Sequence, residues 1–285
     1  MHRFAILLLL ATSALADDLM VKNFRFHDGE TMAQVRIHYV TVGAPRQDNV
    51  VLVLHGTGGT SKQFLNDHFA GVLFKPGGLL DASKYFIVIP DNIGHGDSSK
   101  PSDGLGKKFP HYDYDDMIEL QHRVIESLGV DHLFLVMGTS MGGMHTWMWG
   151  ERWPGMMDAL VPLASAPVLI AGRNRVWRKM AIDDLNRGDL EGAIQMLMIA
   201  TSAPLQWQKS APSRDDADRW LADQMKTRMA STKADDLLYA LEASRNYDPS
   251  PDLEKIKAPL LAINSADDFV NPPELGILEK VMPRV

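Results

Sequence analysis

Residues 133–143 read Leu-Phe-Leu-Val-Met-Gly-Thr-Ser-Met-Gly-Gly. The five apolar residues Leu133 to Met137 have the length and flanks of a buried strand, and they run directly into Gly138-Thr139-Ser140-Met141-Gly142-Gly143. A serine with small residues two before and two after it suits a sharp strand-to-helix turn. Such a turn lifts the hydroxyl above the sheet and aims the N-terminal N–H groups of the next helix at a developing oxyanion. Ser140 is therefore the candidate nucleophile. The bare G-x-S-x-G pattern is common by chance, so the flanking strand and helix carry the reading. The clustered Met137, Met141, Met144 and Met148 read as core and pocket filling.

Outward from this point the chain alternates short apolar runs with helical stretches. Val50 to Leu54, Tyr85 to Pro90, Ala159 to Leu163 and Leu260 to Asn264 resemble the run before Ser140. Runs of this kind separated by helices indicate a mostly parallel sheet covered on both faces, the α/β class. Phe24 to Phe26, Asp28-Gly29 and the alternating Ala33, Val35, Ile37 and Tyr39 read as a hairpin. Met117, Leu120, Gln121, Val124, Ile125 and Leu128 mark one helix face, with Gly129 as its C-terminal cap. Between 165 and 248 the rhythm stops. Helical patterning over Arg175–Leu185, Leu190–Ala200, Asp215–Met229 and Asp235–Arg245 predicts a helical cap inserted over the carboxyl edge of the sheet. The rival description is a separate second domain, against which the region's shortage of apolar residues counts. Pro249 and Pro251 return the chain to the sheet. The predicted organisation is core 17–164, cap 165–248 and core 249–285.

A serine nucleophile needs an oxyanion hole, an acid and a base. His55-Gly56-Thr57-Gly58-Gly59 follows an early strand, where such a loop offers one backbone N–H. The backbone amides of Thr57 and Met141 are the assigned pair, with His55 bracing the loop. After the strand Leu260 to Asn264 come Asp267 and Asp268, at the place expected of the acid. Asp268, four residues before Pro272, is the favoured one; aspartate is also a routine turn residue. The base should follow the acid, yet the ten histidines all lie at or before His145. The reading expects a fragment of a longer chain, lacking a last strand, a histidine loop and a closing helix; the alternative is a scaffold that has lost its base.

Composition narrows the classes further. The formal net charge is −7 and no long basic run occurs, so nothing favours nucleic acid or an anionic membrane surface. The chain has no cysteine, which excludes a cysteine nucleophile, thiolate metal sites and disulfides. Met1-His2-Arg3, the apolar Phe4 to Leu10 and the small-x-small Ala14-Leu15-Ala16 read as a secretory leader, residues 1–16, with export to the periplasm or medium. The apolar run is far short of the ~20 residues that span a bilayer, so no membrane association is expected after cleavage.

Phe109-Pro110, Asp115-Asp116-Met117, Gln121, Leu128-Gly129 and the elbow through Met144, with Trp149 beyond it, resemble the homoserine O-acetyltransferase branch of the α/β-hydrolase superfamily. Gly172 to Arg178 and Asp268 with Pro272-Pro273-Glu274 fit the same pattern. The resemblance implies an α/β-hydrolase fold, a Ser–Asp–His triad, an acyl-enzyme, and no metal or cofactor. It places Ser140 and Asp268 in the first two roles, and Arg178 where a cap arginine meets an amino-acid carboxylate. Pro90 to Ser99 looks instead like the loop of ordinary hydrolases, Gly138-Thr139 stands where Gly-Gly is usual, and a leader fits poorly with cytoplasmic acetyl-CoA. The expected partner is a small-molecule acyl substrate; no oligomeric state is specified. Three functions compete: hydrolysis of a carboxylic ester or related acyl bond, acyl transfer to an acceptor such as homoserine, and binding without turnover. Trp177, Trp207 and Trp220 read either as an amphipathic lid over the pocket or as plain packing. Residues 1–285 alone are expected to show almost no ester turnover. Steady release of p-nitrophenol from p-nitrophenyl acetate, lost in Ser140→Ala, overturns that expectation.

Overall fold

The computed structural model describes residues 14–46 and 48–285. Most of the predicted leader, residues 1–13, lies outside the described residues. Leu15 and Ala16 are the first two residues of β1 (Leu15–Arg25), which forms the expected hairpin with β2 (Thr31–Val42). The strands β3 (Val50–Leu54), β4 (Phe86–Pro90), β5 (Leu135–Thr139) and β6 (Leu160–Leu163) complete a six-stranded sheet. Its order is β1-β2-β4-β3-β5-β6, antiparallel across β1, β2 and β4 and parallel from β4 to β6. Residues 259–264 continue it beside β6. Leu261 and Ile263 donate their N–H groups to the Leu160 and Pro162 carbonyls, both at 3.0 Å. The predicted strand here is thus present as backbone pairing without forming a regular strand.

The continuous apolar runs follow from burial on both faces. In β3, Val50, Leu52 and Leu54 enter one apolar cluster while Val51 and Val53 enter the other. In β4, Phe86 and Val88 face the first cluster, and Ile87 and Ile89 the second. Successive side chains of a strand point to opposite faces, so a strand covered on both sides has no position for a polar residue.

The first face is covered by α2 (Tyr114–Ser127) and α3 (Met141–Arg152), through Met117, Leu120 and Val124 from one and Met141, Met144 and Trp147 from the other. Asp113 caps α2, accepting from the Asp116 N–H while the Asp116 carboxylate accepts from the Asp113 N–H. Gly129, at φ +71°, follows the last turn of α2 where the sequence placed the cap. The second face is covered by Phe64, Phe74, the single-turn helix α1 (Ala70–Leu73) and the loop that follows.

Between β6 and residue 259 the chain forms α4 (Gly172–Asn186), α5 (Leu190–Ala200), α6 (Pro204–Ser210), α7 (Arg214–Ser231) and α8 (Ala234–Glu242). Four of these match the predicted helices; α6, introduced by Pro204, was not read from the pattern because it is too short to show a period. The segment holds an apolar cluster of its own, with Trp177, Ile182, Leu185, Ile194, Met198 and Leu241 at its centre. It is therefore richer in core than its charged composition suggests. A ninth helix, α9 (Ile277–Val281), packs on the first cluster through Val281.

Leu52 is wholly buried in a central strand. Leu52→Ala is expected to lower unfolding stability by about 3 kcal/mol, read as a shift of the urea midpoint.

Candidate active site

The turn at Ser140 exists because three backbones touch. A Cβ on Gly138 would lie 2.3 Å from the Gly142 carbonyl oxygen. One on Gly142 would lie 2.1 Å from the Leu54 carbonyl oxygen, and one on Gly143 would lie 2.6 Å from the Leu163 carbonyl oxygen. Only glycine fits at each. Ser140 itself sits at φ 55°, ψ −112°, a conformation a non-glycine residue seldom adopts. Its N–H donates to the Leu163 carbonyl at 2.9 Å, and its side chain is exposed at the head of α3. The Met141 N–H is among the first free amides of that helix.

The oxyanion loop lies against the serine. A Cβ on Gly56 would come within 3.4 Å of the Ser140 Cβ. His55 is fully buried, and its Nε2 accepts the Asn92 N–H at 3.0 Å. Its Nδ1 therefore carries the proton and donates to the Gly56 carbonyl at 2.9 Å. The Gly59 N–H donates to the same carbonyl. Because the trans peptide is planar, fixing the Gly56 carbonyl also fixes the Thr57 N–H on the opposite side. His55 thus braces the loop, as the sequence suggested.

Arg178 is 2% exposed in α4. Its Nε donates to Asn174 Oδ1 at 3.0 Å, its Nη1 to Ser244 Oγ at 3.4 Å, and its guanidinium lies over the Trp177 ring. Among the described residues it has no carboxylate partner, and burial lowers its pKa. Tyr114 stands beside it. Burial raises the phenol pKa, while Arg178, Ser244 and Thr57 pull it back down. The Tyr114 hydroxyl and Thr57 Oγ1 are both buried without a hydrogen-bond partner among the described residues. Thr57, Tyr114, Ser244 and Arg178 thus converge, core meeting cap. The sequence reading missed Tyr114 and Ser244, because neither belongs to a motif and only the fold brings them to Arg178.

Asp268 occupies a loop pinned to the start of α4. Arg173 Nε donates to the Phe269 carbonyl at 2.8 Å, and Asn174 Nδ2 donates to Asn271 Oδ1 at 3.3 Å. Asn174 therefore joins Arg178 to the loop of the acid. Asp268 Oδ1 accepts the Val270 and Asn271 N–H groups at 2.8 and 3.0 Å, a turn-forming task, and its Oδ2 has no partner among the described residues. Asp267 is exposed and bonds only to the Ser265 hydroxyl.

A cavity of about 510 Å³ opens beside the oxyanion loop. Thr57, Gly58, His95 and Lys100 line it from the core; Leu197, Arg228, Lys233 and Leu237 line it from the helical segment. The tryptophans lie elsewhere. Trp177 is buried in the helical cluster, and Trp207 and Trp220 pack together at 5.0 Å against it, so their role is packing. Two His/Asp groupings have donor atoms close enough for a metal ion, His27 with Asp113 and Asp115, and His38 with Asp91 and Asp97. In the first, His27 Nδ1 and Asp113 Oδ2 are joined at 2.7 Å at the cap of α2. In the second, Asp91 accepts the Ser61 and Asp97 N–H groups, and His38 is paired with Asp18.

The alpha/beta hydrolase fold family matches residues 49–279 of the sequence. The chain belongs to that family. A homoserine O-acetyltransferase from Methanohalophilus mahii is 34% identical over 59% of this chain and 39% of its own length. Another, from Haemophilus influenzae, is 29% identical over 85% of this chain and 79% of its own. The crystal structure of an acetylester hydrolase from Corynebacterium glutamicum superposes with a TM-score of 0.83 over 95% of this chain and 85% of that one, at 18% identity. The chain is an enzyme of this fold, of the acyltransferase or esterase kind.

Three buried histidines set an expected pH response. Burial lowers the pKa of His55, His95 and His145, that of His95 from 6.5 to about 3. Above pH 6.5 folded and unfolded chains both hold these rings neutral, and the rings contribute no pH dependence. Below it the unfolded chain takes up protons that the folded chain refuses, so stability falls as pH drops from 6.5 towards 3. For His95 the slope approaches ~1.4 kcal/mol per pH unit below 6.5. Asp116 and Glu151, pushed up by burial to about 7 and about 8, act in the opposite sense over the same range. The His95 contribution is therefore read as a difference: in urea unfolding between pH 7.5 and 5, His95→Asn should change the slope by up to about one proton relative to wild type.

Proposed function

We propose that the enzyme cleaves a carboxylic ester or related acyl bond by attack of Ser140 on the carbonyl carbon. The observation that carries this reading is the backbone of Ser140, held at positive φ with its side chain exposed and the Gly56–Thr57 loop against it. The Ser140 oxygen bonds to the carbonyl carbon, and the Thr57 and Met141 amides hold the negative charge on the former carbonyl oxygen. The intermediate collapses to an acyl-enzyme with loss of the alcohol, and water then attacks to release the acid. The serine proton passes to a general base and returns on the leaving oxygen. Asp268, through its Oδ2, which has no partner among the described residues, is the group assigned to orient that base. Export through residues 1–16 belongs to the same proposal.

A second reading is favoured by Arg178. A buried guanidinium without a carboxylate partner suits a substrate that brings its own carboxylate. If that substrate is a hydroxy amino acid such as homoserine, its hydroxyl replaces water and the acyl group is transferred. The relatives named as homoserine O-acetyltransferases support this alternative.

The full-length protein is to be assayed with p-nitrophenyl acetate, and with acetyl-CoA plus L-homoserine. Ser140→Ala should reduce either activity by about 10⁴-fold or more. Rapid O-acetylation of homoserine with little release of acetate sinks the hydrolase reading. Arg178→Met should then raise KM for homoserine by about 10- to 100-fold, the loss of a charged hydrogen-bond pair.

A further inference from the structure

Beneath the oxyanion loop a buried chain of side chains is centred on Gln121. Trp149 Nε1 donates to Gln121 Oε1 at 2.7 Å. Gln121 Nε2 donates to Asn92 Oδ1 at 2.6 Å and to His145 Nδ1 at 2.9 Å. Asn92 then presents its backbone N–H and its Nδ2 to His55 Nε2, at 3.0 and 3.1 Å. His55 in turn donates to the Gly56 carbonyl. Gln121 is 1% exposed, Asn92 2%, and His55, His145 and Trp149 are fully buried.

The direction of this chain is fixed at one end. An indole N–H can only donate, so Trp149 orients the Gln121 amide with its oxygen towards the indole. The amide then has only N–H groups left for Asn92 and His145. Asn92 must accept with Oδ1 and donate with Nδ2, and His55 must accept at Nε2 and carry its proton on Nδ1. Reversing the Gln121 or the Asn92 amide would strand further buried donors and acceptors, at about 1–3 kcal/mol each; the His145 Nε2 is the one atom of the chain left without a partner among the described residues.

We infer that Gln121 is a positioning residue for both halves of the oxyanion hole. Through Asn92 and His55 it sets the peptide that carries the Thr57 N–H. Through Trp149 and His145 it ties that peptide to α3, whose first residue carries the Met141 N–H. One side chain on α2, remote from the reacting atoms, thereby fixes the distance between two donors contributed by different loops. The inference rests on the reading of Ser140 as nucleophile, but its structural half does not depend on turnover.

The test begins with the wild-type full-length protein and long-range ¹⁵N–¹H spectra of its histidine rings at pH 8. His55 is expected as the Nδ1–H tautomer and His145 as Nε2–H. Finding the proton of His145 on Nδ1 overturns the inference, whether or not the protein turns over any ester. Gln121→Glu replaces the two donors by an acceptor and Trp149→Phe removes the group that orients the amide. In either variant the Asn92 backbone N–H still holds His55 as Nδ1–H, but the single His145 tautomer should be lost, and kcat should fall by about 10- to 100-fold with KM within about threefold, since a small misplacement of transition-state donors acts on the chemical step. Trp149→Phe is the milder change and decides the matter if Gln121→Glu does not fold. Unchanged kcat, or a change confined to KM, in a variant with native circular dichroism overturns the inference. A wild-type protein without Ser140-dependent turnover overturns the proposed function instead, and the tautomers then judge the hydrogen-bond chain alone.

Discussion

The backbone contact among β3, β5 and α3 is the constraint on which the site depends. The Cα of Gly142 packs so closely on the Leu54 carbonyl that no side chain fits between them. That approach brings the end of β3, and so the loop 55–59, against the head of α3. The strained φ of Ser140 is the geometric result of turning from strand to helix within one residue at that contact. It is held by the Leu163 carbonyl on one side and the Gly56 backbone on the other. The loop after β3 meets the serine at the head of α3 because three glycines let the backbones touch.

Such close packing leaves the polar groups below it no access to water. His55, Asn92, Gln121, His145 and Trp149 therefore bond to one another, with a single polarity, and only His145 Nε2 among them is without a partner among the described residues. The same burial keeps the histidine rings neutral. Rigid elements thus carry the site, the arrangement expected where donors must be placed before charge develops. Asp268, the proposed acid, stands apart from this rigid part. It sits on a loop held mainly by Arg173 and Asn174 from the helical segment, so the segment that shapes the cavity also places Asp268.

The sequence disclosed those features that depend on neighbours in the chain. The elbow, the hairpin, the parallel strands and four of the five helices beyond β6 all rest on local period or on glycine spacing. Residues 260–264 show the limit of that approach. Their apolar run reads as a strand, yet the pairing with β6 is partial, because pairing is decided by the partner's register and not by the run itself. Tyr114 and Ser244 were illegible for the same reason. Each matters only through residues far away in the chain, and nothing nearby marks it. The three tryptophans were legible as apolar mass but ambiguous in role, and the fold assigns them to packing.

In the proposed mechanism, the wall of the cavity beside the Gly56–Gly59 loop bears on what takes the acyl group from Ser140. Excluding water is what separates transfer from hydrolysis when both proceed through the same acyl-enzyme. Leu197 and Leu237 give the wall apolar patches, but Lys100, Arg228, Lys233 and Asp236 interrupt them. Charged side chains retain hydration, so a wall of this kind admits water to the Thr57–Gly59 loop more readily than a continuous apolar one. Arg178 acts in the opposite sense, since a bound carboxylate would neutralise the buried guanidinium and fill the space beside Tyr114. The balance between the two chemistries is thus a competition between a wet wall and an anion-seeking arginine. Both belong largely to the helical segment, whereas the elbow and oxyanion loop serve either outcome equally.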